Sequence, residues 1–334
     1  MANKTNKKRA QAKRPSTSKS SATAKKNRPG GRPGGQQPRA VVRTAGASDW
    51  IAAARIRTLP VALAPVALGT AAAMVYTPGE VHWVRALLCL AVALALQIGV
   101  NYANDYSDGV RGTDRHRVGP ARLTASGAAK PRAVLAVALA FFLIAAVAGG
   151  AVVVLSGYYW LLALGAACVA AAWFYTGGKH PYGYYGLGEV FVFVFFGLVA
   201  TAGTTYVQVG AVSIESWLAG ATAGFLACAV LMVNNLRDLE QDALARKRTL
   251  AVLVGAKASR IVYGVFMTIP FVILIFFAIF YLNAYLVYFA LLLAVPAVLI
   301  VATGKTPPEF MLALRLTSLT VLVVGLGLAA AIVY

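Results

Sequence analysis

Long apolar stretches cover most of the chain after residue 50, and each is close to the length that a helix needs to cross a membrane. A bilayer core of about 30 Å requires about 20 apolar residues in a helix. Of the 334 residues, 59% are apolar and 13% are charged, whereas soluble domains are nearer about 45–50% apolar and about 25% charged. This composition excludes an ordinary soluble enzyme and predicts a polytopic membrane protein.

The apolar stretches divide the chain into candidate spans. We predict an all-α bundle of nine transmembrane helices within one domain, residues 49–334, because nine such segments follow one another. Two prolines in the first segment, Pro60 and Pro65, are expected to break or kink its helix. Such breaks are tolerated where the freed backbone faces protein or a water-filled cavity. The nine predicted spans are 51–76, 83–105, 133–155, 158–176, 188–208, 214–236, 259–281, 284–303 and 312–334.

Basic residues in the connections predict the orientation. Nearly all of them follow the even-numbered spans, whereas the connections on the opposite side hold only Arg85. Cytoplasmic loops carry an excess of Lys and Arg. We therefore expect the N-terminus and the loops after the even-numbered spans to be cytoplasmic, and the C-terminus to be external.

The first 48 residues have a different composition from the rest of the chain. They contain 13 Lys and Arg residues, no acidic residue and no aromatic residue, with many Ser, Gly and Pro. Such a segment buries too little apolar area to offset its ordering entropy. We predict a disordered basic cytoplasmic tail that lies on anionic lipid headgroups, and no nucleic-acid partner, because no aromatic residues are present to stack on bases.

Acidic residues are rare and clustered. The chain has 11 of them, and six lie in two short windows, each at the predicted cytoplasmic end of a span. The first window reads NYANDYSDGVRGTDRHR (101–117) and the second NNLRDLEQDALARKRT (234–249). The six acids are Asp105, Asp108, Asp114, Asp238, Glu240 and Asp242.

The spacing of these acids indicates a shared ligand. Asp105 and Asp108 are three residues apart and Asp238 and Asp242 are four apart, so each pair projects from one face of a helix. A carboxylate within a bilayer costs up to about 2.5–3.5 kcal/mol, and two such pairs repel unless a cation lies between them. Mg²⁺ prefers oxygen ligands and is typically bound by one or two carboxylates together with substrate phosphates. We predict that these four aspartates hold Mg²⁺.

Neighbouring residues complete a predicted diphosphate site. Arg binds phosphate through its bidentate fork, and Lys binds it as a point charge. Glu240 points away from the Asp238/Asp242 face and is predicted to be solvated. The alternative interpretation, in which all these acids form ordinary interfacial ion pairs, is weakened by the repetition of the pattern at the ends of two spans. The predicted diphosphate-binding residues are Asn101, Asn104, Arg122, Asn234, Lys247 and Arg248, with Asn235 as an additional candidate.

At these residues the sequence resembles the UbiA superfamily of intramembrane prenyltransferases, which carry an NDxxD motif after the second span and a DxxxD motif after the sixth. Within that superfamily, the strings RIRTLPVALAPV (55–66) and YTGGKHPYGYYGLGEVFVFVFFG (175–197) resemble the branch that acts on 1,4-dihydroxy-2-naphthoate. The resemblance covers residues 49–334.

The resemblance implies a helical bundle around one central cavity, with cytoplasmic loops capping the active site. It implies transfer of a polyprenyl group from an all-trans polyprenyl diphosphate to 1,4-dihydroxy-2-naphthoate with loss of CO₂, which gives demethylmenaquinone for menaquinone biosynthesis. The four aspartates would act as the catalytic metal ligands. Three further candidates are Tyr175, which could shield an allylic cation, Arg57, which could reach the diphosphate or the acceptor carboxylate, and Asp114.

Alternative functions remain open at this stage. A superfamily member could use another aromatic acceptor, such as 4-hydroxybenzoate, because the acidic motifs do not distinguish acceptors. A transporter would place acids near mid-span and show inverted repeats, whereas both acidic windows lie at one predicted face. A CDP-alcohol phosphotransferase would need a DGxxAR pattern, which the residues after Asp108 do not match.

Overall fold

The computed structural model describes residues 44–116 and 122–334, and these residues form helices and no β-strand. The predicted basic tail lies almost entirely outside them, and its last residues already belong to the first helix. The twelve α-helices among these residues are α1 (Ala47–Ala53), α2 (Pro60–Ala73), α3 (Trp83–Arg111), α4 (Pro131–Ser156), α5 (Leu161–Phe174), α6 (Gly188–Val192), α7 (Ala200–Val209), α8 (Ile214–Arg237), α9 (Leu239–Leu244), α10 (Leu250–Phe280), α11 (Leu291–Thr303) and α12 (Pro307–Val333).

Several short segments connect or extend these helices. A π-helical stretch, Phe193–Val199, joins α6 to α7, so that Gly188–Val209 forms one continuous span. A 3₁₀ stretch, Ala284–Ala290, leads into α11. Helix α3 is six residues longer than predicted, because it ends only at the left-handed Gly112. The NDxxD motif therefore lies in the last turns of a helix and not in the following loop.

The prediction of nine spans is not confirmed. In the described part of the chain, seven helices are long and apolar enough to cross a membrane, and an eighth span is formed if the bent pair Ala47–Thr58 and Pro60–Ala73 counts as one. Helix α5, predicted to be the fourth span, has 14 residues. At about 1.5 Å per residue it is about 21 Å long, which is short of a bilayer core of about 30 Å.

The first predicted span is broken as expected, although the break precedes the prolines. The two halves, Ala47–Thr58 and Pro60–Ala73, meet at an angle of 47°, and the first half is itself interrupted at Arg55, which has a left-handed backbone conformation (φ 54°). Asn101 of α3 donates a hydrogen bond from Nδ2 to the freed carbonyl of Ala54 at 2.9 Å. Pro60 begins α2, where its missing N–H costs nothing. A polar side chain from a neighbouring helix thus satisfies the broken backbone.

Two packed regions enclose a cavity. Helices α2, α8, α10 and α12 form the larger apolar core, while α3 and α4 pack along their length around Phe142. Between these regions lies a cavity of about 790 Å³, lined by α2 to α5, by the Gly188–Val209 span and by α8. Its walls are mostly apolar, and its polar lining includes Arg55, Asn101, Asn104 and Asn234. The cavity thus reaches the residues that precede both acidic pairs.

Close packing of α2 against α12 generates a stability prediction. A Cβ added at Gly325 would clash with the Ala64 side chain and lie 3.0 Å from Ala64 Cα, whereas at Gly327 it would meet only ordinary contacts, the nearest at 3.5 Å from Val287. Overpacking costs about 1–3 kcal/mol. We expect Gly325→Ala to lower the thermal unfolding midpoint in detergent by several degrees and Gly327→Ala to leave it nearly unchanged. Equal midpoints for the two variants would contradict this packing.

Candidate functional site

The first acidic pair lies in the last turns of α3, and both of its carboxylates are buried. The two oxygens of Asp105 accept backbone hydrogen bonds from Leu123 and Thr124, each at 2.9 Å. These amides belong to the segment that follows α3, so Asp105 holds that segment against the end of the helix. Backbone N–H donors thus satisfy the acceptor oxygens of this buried side chain.

Asp108 receives partners from two distant parts of the chain. Tyr184 Oη donates a hydrogen bond to Oδ1 at 2.7 Å, and Lys247 Nζ lies 3.4 Å from Oδ2. Tyr184 is 76 residues away in sequence and Lys247 is 139 residues away. Each oxygen of Asp108 therefore has its own partner, one neutral and one cationic.

The second acidic pair lies at the end of α8. Asp238 stands at the junction of α8 and α9, where Arg237 Nε and Nη2 donate to its two oxygens at 2.8 and 2.7 Å. One turn later, Asp242 Oδ1 lies 4.0 Å from Lys247 Nζ. The backbone N–H of Lys247 also donates to the Asp242 carbonyl at 2.8 Å, which keeps the lysine beside this motif.

Lys247 thus lies between the two motifs, in contact with Asp108 of the first and Asp242 of the second. Its side chain is mostly buried, as are both carboxylates. An ion pair withdrawn from water requires compensation of both charges. The structure therefore brings one acid of each window, Asp108 and Asp242, to the same cation at one end of the helical bundle.

The predicted asparagines occupy the turns that precede the acids. Asn101, Asn104 and Asn234 line the cavity. Thr176 donates to Asn104 Oδ1 at 2.7 Å, and Asn234 donates from Nδ2 to the Val230 carbonyl at 3.0 Å. The fourth, Asn235, contacts Glu189 instead.

Two further acids, Glu189 and Asp114, have partners other than Lys247. Asn235 donates from Nδ2 to Glu189 Oε1 at 3.0 Å, while Glu189 Oε2 is buried and has no hydrogen-bond partner among the residues that the structure describes. Asp114 pairs with Arg122, whose Nε lies 3.3 Å from Asp114 Oδ2. Arg122 is consequently held near the end of α3.

The remaining predicted residues are more exposed. Arg248 and Arg57 have exposed side chains, and the backbone N–H of Arg248 donates to the Tyr184 carbonyl at 3.2 Å. Arg55, which was not predicted to be a site residue, lines the cavity, whereas Arg57 is not among the lining residues. Glu240 is exposed.

Tyrosines from the loop between α5 and α6 form the remaining wall of the site. Tyr175 and Tyr182 line the cavity, with ring centroids 5.5 Å apart in an edge-to-face arrangement. For Tyr184, burial and the charge of Asp108 raise the pKa to about 12, so its hydroxyl stays protonated at neutral pH.

Sequence reasoning missed Tyr184 and Glu189 as site residues. Both belong to the PYGYYGLGE string that carries the resemblance to the naphthoate branch. A buried acid in an apolar span is a signal that could have pointed to Glu189. No local pattern distinguishes Tyr184 from its neighbours, because its partners come from other helices.

The donor set fits Mg²⁺ that takes part of its coordination from a substrate. Within the described residues no three His, Cys, Asp or Glu side chains are close enough to form a protein-only metal site. Carboxylate oxygens of both motifs nevertheless converge on the Lys247 ammonium, where a cation is favoured. Mg²⁺ usually takes one or two carboxylates and completes its shell with water and phosphate oxygens, which agrees with this arrangement.

Comparison with known families identifies the fold. Residues 62–309 match the UbiA prenyltransferase family. The chain belongs to this family. Together with its apolar helices, membership makes it a multi-pass membrane protein.

Several relatives of this chain are named for one reaction. The 1,4-dihydroxy-2-naphthoate octaprenyltransferase of Mycobacterium tuberculosis is 46% identical over 301 residues, which cover 86% of this chain and 97% of the relative. The enzyme of the same name from Mycobacterium leprae is 44% identical, with 85% and 96% covered. Its namesake from Escherichia coli is 36% identical, with 63% and 70% covered.

Solved structures of UbiA homologs share the fold. The apo structure from Aeropyrum pernix has a TM-score of 0.62 at 17% identity, covering 80% of this chain and 96% of that one. A structure from Archaeoglobus fulgidus bound to GPP and Mg²⁺ has a TM-score of 0.57 at 14% identity, covering 82% and 99%.

Proposed function

We propose that this UbiA-family protein transfers a polyprenyl group from an all-trans polyprenyl diphosphate to 1,4-dihydroxy-2-naphthoate, with loss of CO₂, to give demethylmenaquinol, the reduced form of demethylmenaquinone. The observation that carries the proposal is the 46% identity, over almost the whole relative, to a protein named for this naphthoate reaction. The buried acidic site at the end of an apolar cavity supports the same chemistry.

The two parts of the donor would occupy different parts of the site. The diphosphate carries negative charge and fits the end of the bundle where Lys247 and Arg122 lie among the acids. The polyprenyl tail is apolar and fits the apolar cavity of about 790 Å³. Burial of the tail removes apolar surface from water and orients its reactive end toward the two motifs.

Mg²⁺ would be held by Asp105, Asp108, Asp238 and Asp242, and when bound it would neutralise the departing diphosphate. Asp108 and Asp242 lie on the two sides of Lys247, so that this lysine would then be available to the diphosphate as a point charge. The UbiA homolog from Archaeoglobus fulgidus has been solved bound to Mg²⁺ together with GPP or DMAPP, which supports the same cofactor here.

The transfer balances without removal of a ring proton. The allylic C–O bond breaks and its electron pair leaves with diphosphate, and the new C–C bond forms at the ring carbon that bears the carboxylate. That carboxylate leaves as CO₂, and its electron pair returns to the ring. Tyr175 and Tyr182 line the cavity and would shield the allylic cation with their π faces. The apolar walls would exclude water, which otherwise captures the cation as an alcohol.

The reaction can be measured directly in membranes. We expect membranes that contain the protein, supplied with Mg²⁺, a polyprenyl diphosphate and carboxyl-labelled 1,4-dihydroxy-2-naphthoate, to release labelled CO₂ and diphosphate in a one-to-one ratio. Asp105→Asn and Asp238→Asn should each remove nearly all turnover, because a metal carboxylate is lost. Glu240→Gln is the matched control and should retain activity, because Glu240 is exposed.

Two results would contradict this assignment. Efficient prenylation of 4-hydroxybenzoate without turnover of the naphthoate would make the acceptor wrong while leaving the family and the metal site intact. Undiminished turnover in Asp238→Asn, or in the presence of a chelator, would make the proposed metal site wrong.

We also propose that the acidic end of the bundle faces the cytoplasm. The loops after α3 and α8 carry basic residues, whereas Arg85 lies at the opposite end of α3, and the positive-inside rule places basic loops in the cytoplasm. Reporter fusions in the loop after α9 should read cytoplasmic, and a fusion at Tyr334 should read external. The reverse pattern would contradict this orientation.

A further inference from the structure

Tyr184 connects three separate parts of the candidate site. It lies in a short 3₁₀ turn, Tyr182–Tyr184, between α5 and α6. We propose that Tyr184 is a positioning residue for the metal site: its hydroxyl holds one oxygen of Asp108, so that the other oxygen is presented toward Lys247 and the second acidic motif. This inference rests on the proposed function, in which Asp108 is a magnesium ligand.

The hydroxyl of Tyr184 has two partners on the α3 side. It donates to Asp108 Oδ1 at 2.7 Å and lies 3.0 Å from Thr113 Oγ1. A phenol has one proton, so with that proton on Asp108, Thr113 is the donor to Tyr184. This chain of hydrogen bonds fixes the rotation of the hydroxyl and directs its proton at one carboxylate oxygen.

The ring of Tyr184 contacts two cations. The Arg111 guanidinium lies 5.4 Å from the ring centroid and the Lys247 ammonium lies 5.3 Å from it, both within the range of a cation–π interaction. Arg111 also donates to the carbonyls of Thr176 and Gly178, which belong to the same loop as Tyr184. The ring therefore supports the lysine that lies between the two motifs.

The backbone of Tyr184 reaches the second motif. Its carbonyl accepts the N–H of Arg248 at 3.2 Å, in the connection between α9 and α10. The end of α3, the loop before α6 and the connection after α9 are thus joined at one residue.

The consequence concerns the two oxygens of Asp108. Oδ1 accepts a hydrogen bond from the neutral Tyr184 hydroxyl, which a bound metal ion would not repel. Oδ2 faces Lys247, a cation that Mg²⁺ or diphosphate can displace. Without the Tyr184 hydroxyl the carboxylate could rotate, and the presentation of Oδ2 toward Asp242 would be lost. The role predicts a change in metal affinity rather than in acceptor recognition.

The test compares Tyr184→Phe with Tyr185→Phe. Tyr185 is the matched control, because it is adjacent, 54% exposed and has its hydroxyl near His180, at 3.2 Å. We expect Tyr184→Phe to raise the Mg²⁺ concentration for half-maximal turnover about tenfold, as for loss of a hydrogen bond to a charged group. The KM for the naphthoate should stay unchanged, and Tyr185→Phe should match the wild type.

A second readout does not depend on turnover. Thermal unfolding in detergent is followed while Mg²⁺ is titrated in the presence of inorganic diphosphate. The Mg²⁺ concentration that gives half of the stabilisation should rise in Tyr184→Phe by a similar factor. If this variant does not fold, Thr113→Val is used instead, because it removes the hydrogen bond between Thr113 and the Tyr184 hydroxyl. It should raise the required Mg²⁺ concentration by a smaller factor.

The outcomes separate this inference from the proposed function. Wild-type magnesium dependence in Tyr184→Phe, together with loss of magnesium dependence in Asp108→Asn, would overturn the role of Tyr184 alone. Wild-type behaviour of Asp108→Asn as well would overturn the proposed metal site. A rise in the KM for the naphthoate with unchanged magnesium dependence would also overturn the positioning role.

Discussion

The contact of Lys247 with Asp108 and Asp242 is the interaction on which the candidate site depends. These two carboxylates belong to helices that are far apart in sequence, and one ammonium lies between them at 3.4 and 4.0 Å. Without a cation there, two buried carboxylates would face each other in a region of low dielectric, where like charges repel strongly. The same contact joins the end of α3 to the connection after α9, and so defines the polar end of the bundle.

The other two aspartates of the motifs, Asp105 and Asp238, are also compensated by hydrogen-bond partners of their own. Asp105 is held by two backbone amides, and Asp238 is held by the fork of Arg237. A buried carboxylate is tolerated only when it is hydrogen-bonded or paired. These partners keep the carboxylates in place before any substrate arrives. Preorganised charges of this kind do not have to reorient during a reaction.

The sequence predicted the helical class and the family, and it singled out the acids that the structure brings to one end of the bundle, because apolar length and clustered acids are local signals. The bend before Pro60 could also be predicted, whereas the left-handed interruption at Arg55 could not. The count of nine spans is not confirmed, since apolar composition at 158–176 does not show that the helix itself begins only at Leu161 and ends at Phe174. The extension of α3 through its acidic motif was signalled by Gly112, a residue suited to a left-handed helix end.

Contacts between distant segments could not be predicted in the same way. Tyr184 and its neighbours Tyr182 and Tyr185 are alike in local sequence, yet Tyr184 donates to Asp108, whereas Tyr182 donates to the Ala171 carbonyl and the Tyr185 hydroxyl lies beside His180. Lys247 was predicted to bind diphosphate, but its contact with Asp108, 139 residues away, depends on how α3 packs relative to α8 and α9. Such contacts are properties of the tertiary structure, and a single sequence contains no periodic signal for them.

The central claim, that both acidic motifs serve one metal–diphosphate site, is tested most directly by a double-mutant cycle. The magnesium-dependent affinity for inorganic diphosphate is measured for the wild type, Asp108→Asn, Asp242→Asn and the double variant. Residues that act on one ligand are strongly non-additive, whereas independent sites add within about 0.3–0.5 kcal/mol. A double variant that loses little more affinity than either single variant is the predicted result. Fully additive losses would contradict a shared site.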